Sequence, residues 1–188
     1  MSGHSTPSQT VGPFFSIGLA PLNRVNLAEG SSNERIAIHG RVLDGDGQGV
    51  PDAVLEIWQA DADGRYPHPE HTQSQENAAS SSGFGRIPTD EQGQFSFTTI
   101  RPGPVHGSEG NPHAPHLQIS VFMRGLLRQL VTRLYFPQEP LNASDPVLLV
   151  VPESRRDTLI ARQAESTENS LEWNVCLQGP NETVFFDS

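Results

Sequence analysis

The sequence predicts an all-β fold: a Greek-key β-sandwich with long loops, an N-terminal arm and one short helix. Three observations predict it. Seventeen glycines and sixteen prolines cut the 188 residues into short runs. Those runs alternate apolar and polar side chains, the period of half-buried strands. The stretches between them, DGDGQGVPD (44–52), DADG (61–64), DEQG (90–93) and RPGP (101–104), are rich in residues that favour tight turns. At this length one domain can bury a sizeable core.

Residues 1–35 lack periodicity and read as an arm that packs on a partner or on the core, ahead of a sandwich domain over 36–188. Within the arm, TPSQTVGPFF (6–15) is unlike a disordered tail: Gly12 and Pro13 set a rigid turn, and Phe14 and Phe15 seek burial. Strands IAIHGRVL (36–43) and AVLEIWQA (53–60) flank the first acidic turn. PHPEHTQSQENAASSSGFG (67–85) has no period and reads as a long loop. Strands resume as QFSFTTI (94–100), HLQISVFM (116–123), LVTRLYF (130–136) and LEWNVCLQ (171–178). ESRRDTLIARQ (153–163), after Pro152, is the expected helix, with Leu159 and Ile160 as docking residues. From Arg41 to Pro104 the succession of strand, acidic turn, strand, loop, D-x-x-G-x-F-x-F and P-G-P is that of a transthyretin-like sandwich. In it Gly49 and Gly93 make turns and Phe95 and Phe97 line one face.

Charge and cysteine usage narrow the function. The 22 acidic residues outnumber 12 basic ones, giving a formal charge of -10 and arguing against nucleic acid or an anionic membrane surface as partner. A single cysteine, Cys176, excludes an internal disulfide and any cysteine-based metal cluster within one chain. On its alternating strand it reads as a core residue. No basic-then-apolar leader opens the sequence and no apolar run approaches the roughly 20 residues of a membrane helix, so the expected location is cytoplasmic.

Several motifs invite chemistry. The acidic turns lack the bidentate Glu and further oxygens of an EF-hand, and read as hairpin turns. His68, His71, His106, His113 and His116 crowd the middle third; histidines on surface loops are either solvated or, in a rarer arrangement, metal ligands. No nucleophile elbow, phosphate loop or dinucleotide fingerprint is present. In NPHAPHLQISVF (111–122), two imidazoles at i and i+2 of a strand would clamp one metal ion, but the second position is Gln118. Arg124, before a bend expected at Gly125, is either a surface charge or a guanidinium turned into a cleft.

Taken in order, TPSQTVGPFF, GRVLDGDGQGVPDAVLEIWQADADGRY, GFGRIPTDEQGQFSFTTIRPGP, APHLQISVFMRGLLRQLVTRLYF, RRDTLIAR and GPNETVFFD resemble the intradiol ring-cleaving dioxygenases, and within them the α chain of the two-chain members. The resemblance implies an activity that cleaves a catechol with O2 between its hydroxyl-bearing carbons. The family's catalytic chains hold Fe(III) with two tyrosinates and two histidines. Carried over singly, those ligand positions fall on Gln73, Val105, His116 and Gln118, while Tyr66 and Tyr135 lie off them. A neutral amide is a poor substitute for anionic phenolate on a hard ferric ion. The resemblance therefore implies that this chain binds no metal or cofactor, and that a homologous β chain carries the iron in αβ pairs joined into a larger hetero-oligomer. It also implies that Thr10, Gly12, Pro13 and Phe14 line the substrate entrance at the α/β interface, with Phe14 standing where the family has tyrosine. Arg124 then faces a carboxylated catechol. Two other readings remain: a non-enzymatic homo-oligomeric binding module, and a self-sufficient metalloenzyme built on the loop histidines.

Overall fold

The structure, a computed structural model, describes residues 6–66, 83–107, 111–165 and 169–187. Gln73, His68, His71 and most of the long loop expected at 67–85 lie outside these residues. The alternation read from the sequence resolves into strands β1 (Arg35–Leu43), β2 (Val54–Trp58), β3 (Phe84–Pro88), β4 (Gln94–Ile100), β5 (Val105–His106), β6 (Pro112–His113), β7 (His116–Phe122) and β8 (Leu130–Tyr135). Short strands β9 (Arg162–Gln163), β10 (Ser170–Glu172) and β11 (Val175–Cys176) complete them. Among the described residues, β4 pairs antiparallel with β1, whose other edge takes β10 and then β11 in parallel, with β9 beyond β10. The facing sheet runs β3-β2-β7-β8, every pairing antiparallel. The chain is an all-β sandwich.

Period two decides what faces inward. In β7, Leu117, Ile119 and Val121 are fully buried between the sheets, and across the register Leu55 and Ile57 of β2 meet Val121 and Ile119. Ile38 and Val42 of β1, Phe95 and Phe97 of β4, and Trp173 close the same cluster from the other sheet. Each such side chain contributes about 1.5–3 kcal/mol on leaving water. The acidic turns share one device. Asp44, Asp61 and Asp90 each turn a carboxylate oxygen back to accept two backbone N–H groups of their own turn, so these carboxylates hold the turns rather than a cation.

Helices differ from expectation. Instead of one helix over 153–163, the chain forms α1 (Phe14–Leu19), α2 (Pro146–Val150) and α3 (Glu153–Arg156). The expected helix stops at Arg156 because the following residues join the edge of β8: Tyr135 N–H donates to Leu159 O, and Ala161 N–H to Tyr135 O. Leu159 is buried as expected, but as part of an extended segment. The expected strand 171–178 divides into β10 and β11, since the Asn174 side chain, not a main-chain carbonyl, accepts the N–H of Arg41 at the break. Cys176 is half-buried rather than in the core, with burial pushing its thiol up. Ahead of β1 the chain crosses both sheets, bridging Arg24 to Arg86 and Asn26 to Thr98, and places Leu27 and Ala28 in the interior. No helix among the described residues is long and apolar enough to cross a membrane.

One buried carboxylate ties the far end of β7 to the helices. Asp145 caps α2 by accepting from Val147 and Leu148 N–H at 2.9 Å each, and also accepts from Ala114 N–H at 2.8 Å and Tyr135 O–H at 3.1 Å. Burial alone pushes its pKa up, but the donors Leu148, Ala114, Tyr135 and Val147 outweigh burial and hold it below the usual carboxylate range. Its contribution is present above the ordinary carboxyl pKa and is lost as pH falls through the lowered value. Asp145→Ala is expected to lower stability by about 3 kcal/mol, because charge-assisted bonds go and buried donors are orphaned. Urea unfolding checks this as a lower midpoint at unchanged slope, with Asp145→Asn intermediate.

Candidate functional site

The outward face of β7 carries His116, Gln118 and Ser120, and the register brings their neighbours into line. Gln118 stands opposite Trp58 on one side and Arg133 on the other; His116 stands opposite Tyr135. His116 is buried, and its Nδ1 lies 2.7 Å from Ala114 O. A carbonyl only accepts, so Nδ1 carries the proton and Nε2 presents a lone pair. Tyr66 fills that position: its ring stacks on Trp58 at 6.1 Å between centroids and its hydroxyl lies 3.4 Å from Nε2. Burial, and then the positive charge of Arg133, push the His116 pKa down to about 4, so the imidazole is neutral at neutral pH. Burial likewise raises Tyr66 and Tyr135, which stay phenols.

This donor set does not suit a ferric ion. Val105 offers no ligand atom, Gln118 offers a neutral amide, and Gln73 lies outside the described residues. Among the described residues no group of three or more His, Cys, Asp or Glu side chains could hold a metal ion. His113 lies 3.5 Å from Asp145 Oδ2 and edge-on to His116, whereas His106 is exposed on β5. Tyr66 and Tyr135 were set apart from the ligand positions by sequence, yet both approach His116. The β7–β8 register signals Tyr135; nothing in the local sequence signals Tyr66.

The other candidates gather at the opposite end of β7, about 20 Å away at roughly 3.3 Å per residue. There Gly125 takes φ +94 and turns the chain back toward β8, and its N–H donates to Thr10 Oγ1 at 2.8 Å. Gly12 O accepts from Phe15 N–H at 3.0 Å, forming the expected turn at Gly12 and Pro13, and α1 follows directly. The two phenylalanines part company: Phe15 packs on Phe122 at 5.4 Å, while Phe14 is 79% exposed. Ile17, Leu22 and Val25 are exposed apolar residues as well. Arg124 is half-exposed, and its Nη2 lies 3.2 Å from Asp52 Oδ2. A small cleft of about 140 Å³ runs beside it, between Gln9 and Val11 of the arm and Met123 and Leu127 of the β7–β8 turn. The structure thus ties Thr10 to Gly125, next to Arg124, sets Gly12, Pro13 and Phe14 along the same arm, and keeps all of them apart from His116.

The Dioxygenase family model matches residues 11–179. The chain is 40% identical over 199 residues to the protocatechuate 3,4-dioxygenase alpha chain of Burkholderia cepacia, covering 97% of this chain and 96% of that one. Against the alpha chain of Pseudomonas putida it is 42% identical over 198 residues, with 97% and 96% covered. The B. cepacia beta chain is 38% identical over 157 residues, 80% of this chain and 67% of that one. Among solved structures, the dioxygenase domain of a carbohydrate-binding fusion protein from Streptomyces sp. SirexAA-E shares the fold, with TM-score 0.63, 21% identity and coverage of 98% and 96%.

The depressed His116 pKa has a pH consequence. Between about pH 6.5 and 4 the unfolded chain protonates this histidine while the folded chain does not, so stability present above pH 6.5 is lost as pH falls through that window. The loss is on the order of 3 kcal/mol. Urea midpoints measured from pH 7 to 4 are expected to fall more steeply for the native chain than for His116→Gln.

Proposed function

The chain belongs to the intradiol ring-cleaving dioxygenase family, and on that footing we propose that it is the α subunit of a protocatechuate 3,4-dioxygenase. In this reading a homologous β chain holds Fe(III), and the αβ pair cleaves protocatechuate with O2 to 3-carboxy-cis,cis-muconate in the cytoplasm. Pairs join into a larger hetero-oligomer. The observation that carries the reading is the separation of two clusters: the arm and Arg124 lie a strand's length from the degenerate ligand positions around His116, with exposed apolar residues on the arm. Residues so placed serve a site completed by another chain.

In that shared cleft the 1–35 arm, ahead of the 36–188 domain, reaches the partner through its exposed part around Phe14 and Ile17, while Leu27 and Ala28 pack on the chain's own core. The turn at Gly12 and Pro13, pinned through Thr10, shapes the substrate entrance; Phe14 gives it an apolar wall without a hydroxyl. Arg124 offsets the carboxylate that distinguishes protocatechuate from plain catechol. The uncovered residues Phe14, Ile17, Leu22 and Val25 would also suit a homo-oligomeric binding module without chemistry.

Coexpression with a β chain carrying the complete tyrosine and histidine ligand set separates these readings. Expected is a stable αβ complex with iron at one per pair and ring-cleaving activity, and neither iron nor activity in the isolated chain. A soluble homo-oligomer that ignores the β chain, or stoichiometric ferric iron in this chain alone, would overturn the assignment. In the complex, Arg124→Ala is expected to raise KM for protocatechuate about ten- to a hundredfold with iron retained, the loss of a charge-assisted contact.

A further inference from the structure

We propose that Asp52 is the residue that positions Arg124, and through it sets the preference for carboxylated over plain catechols; this rests on the reading of Arg124 given above. The β2–β7 register pairs Val54 with Phe122. Continued outward by two residues, it sets Asp52 opposite Arg124, just beyond the sheet's last pair. The turn there holds Asp52 at φ +62, a left-handed conformation that Asp, Asn and Gly accept far better than other residues. That requirement explains a small polar residue at position 52. It does not explain a charge.

The charge has a partner. Asp52 Oδ2 lies 3.2 Å from Arg124 Nη2, with side chains 37% and 54% exposed in the single chain. A guanidinium carries five N–H donors in a planar fork, so a carboxylate on the β2 side that engages one Nη leaves the others for a second carboxylate. One residue further on, Thr10 fastens the backbone of Gly125 to the arm. The Arg124 side chain thus has an ion-pair partner, and the backbone next to it is tied to the arm, both by groups of this chain. At the present exposure such a pair contributes little to stability. Its consequence is directional: it restricts the long arginine side chain to one side, lowering the cost of ordering it when a substrate carboxylate arrives. A β chain covering this edge would remove water from the pair and strengthen the effect.

Asp52→Asn tests this in the αβ holoenzyme, since Asn keeps the shape and tolerates the left-handed backbone while losing the charge. Steady-state KM and kcat for protocatechuate are measured beside the inhibition constant of catechol, which lacks the carboxylate. Expected is a rise in KM for protocatechuate of about two- to fivefold, the scale of a partly exposed ion pair, with kcat and iron content held and catechol affinity unmoved. An unchanged or lowered KM in Asp52→Asn, while Arg124→Ala still raises it, would leave Asp52 a turn residue only and overturn the proposal. An equal shift for protocatechuate and catechol would overturn it too, as a general disturbance of the cleft. If Arg124→Ala itself leaves KM unchanged, the reading of Arg124 falls first and this inference with it.

Discussion

The antiparallel register between β2 and β7 is the constraint on which the rest of the molecule depends. It sets Leu55 and Ile57 against Val121 and Ile119 in the core, Trp58 against Gln118 on the outer face, and Asp52 against Arg124 past the sheet's end. A slip of one residue would turn the apolar set of β7 to the outside and dissolve all three relations at once. Burial of the inner face is what forbids the slip. The chemistry at either end of β7 is therefore held by the same hydrophobic packing that stabilises the sandwich.

At the His116 end, the polar side chains close on one another through hydrogen bonds. The imidazole gives its proton to Ala114 O and turns its lone pair to the Tyr66 hydroxyl, while Tyr135 donates to Asp145. Asp145 also caps α2, so the polar groups of this end stabilise structure. At the Arg124 end the pattern reverses. Charged and apolar side chains there stand exposed, and the arm's backbone is tied to Gly125. Buried groups that satisfy one another at one end, and an exposed arm with a cation at the other, are what a subunit needs when it lends residues to a neighbour's site.

Much of this was legible in the sequence, and the failures have physical causes. β1, β4, β7 and β8 alternate cleanly over six or more residues and were located to within a residue or so. β3 was not: FGRIP contains a glycine and a proline, and its buried Gly85 shows no apolar signal because Leu27 packs where a side chain would stand. α1 and α2 are too short for a 3.6 period to show, and residues 157–163 leave helix because the edge of β8 offers main-chain partners. Gln118 and Val105 came into view as ligand positions only through the family resemblance; the local pattern by itself offered no more than a strand with one imidazole and an amide two residues on. The approach of Tyr66 to His116, 50 positions apart in the chain, was not readable, since only the stack on Trp58 brings it there.

The central claim is that this chain lends Arg124 to a site whose metal belongs to another chain. A crystal structure of the αβ complex with protocatechuate bound tests it most directly. The account predicts the Arg124 guanidinium within hydrogen-bond distance of the substrate carboxylate, the Thr10–Phe14 turn against the substrate, and the iron held wholly by β-chain side chains. A substrate or iron seated at His116, or Arg124 facing bulk solvent in the complex, would contradict it.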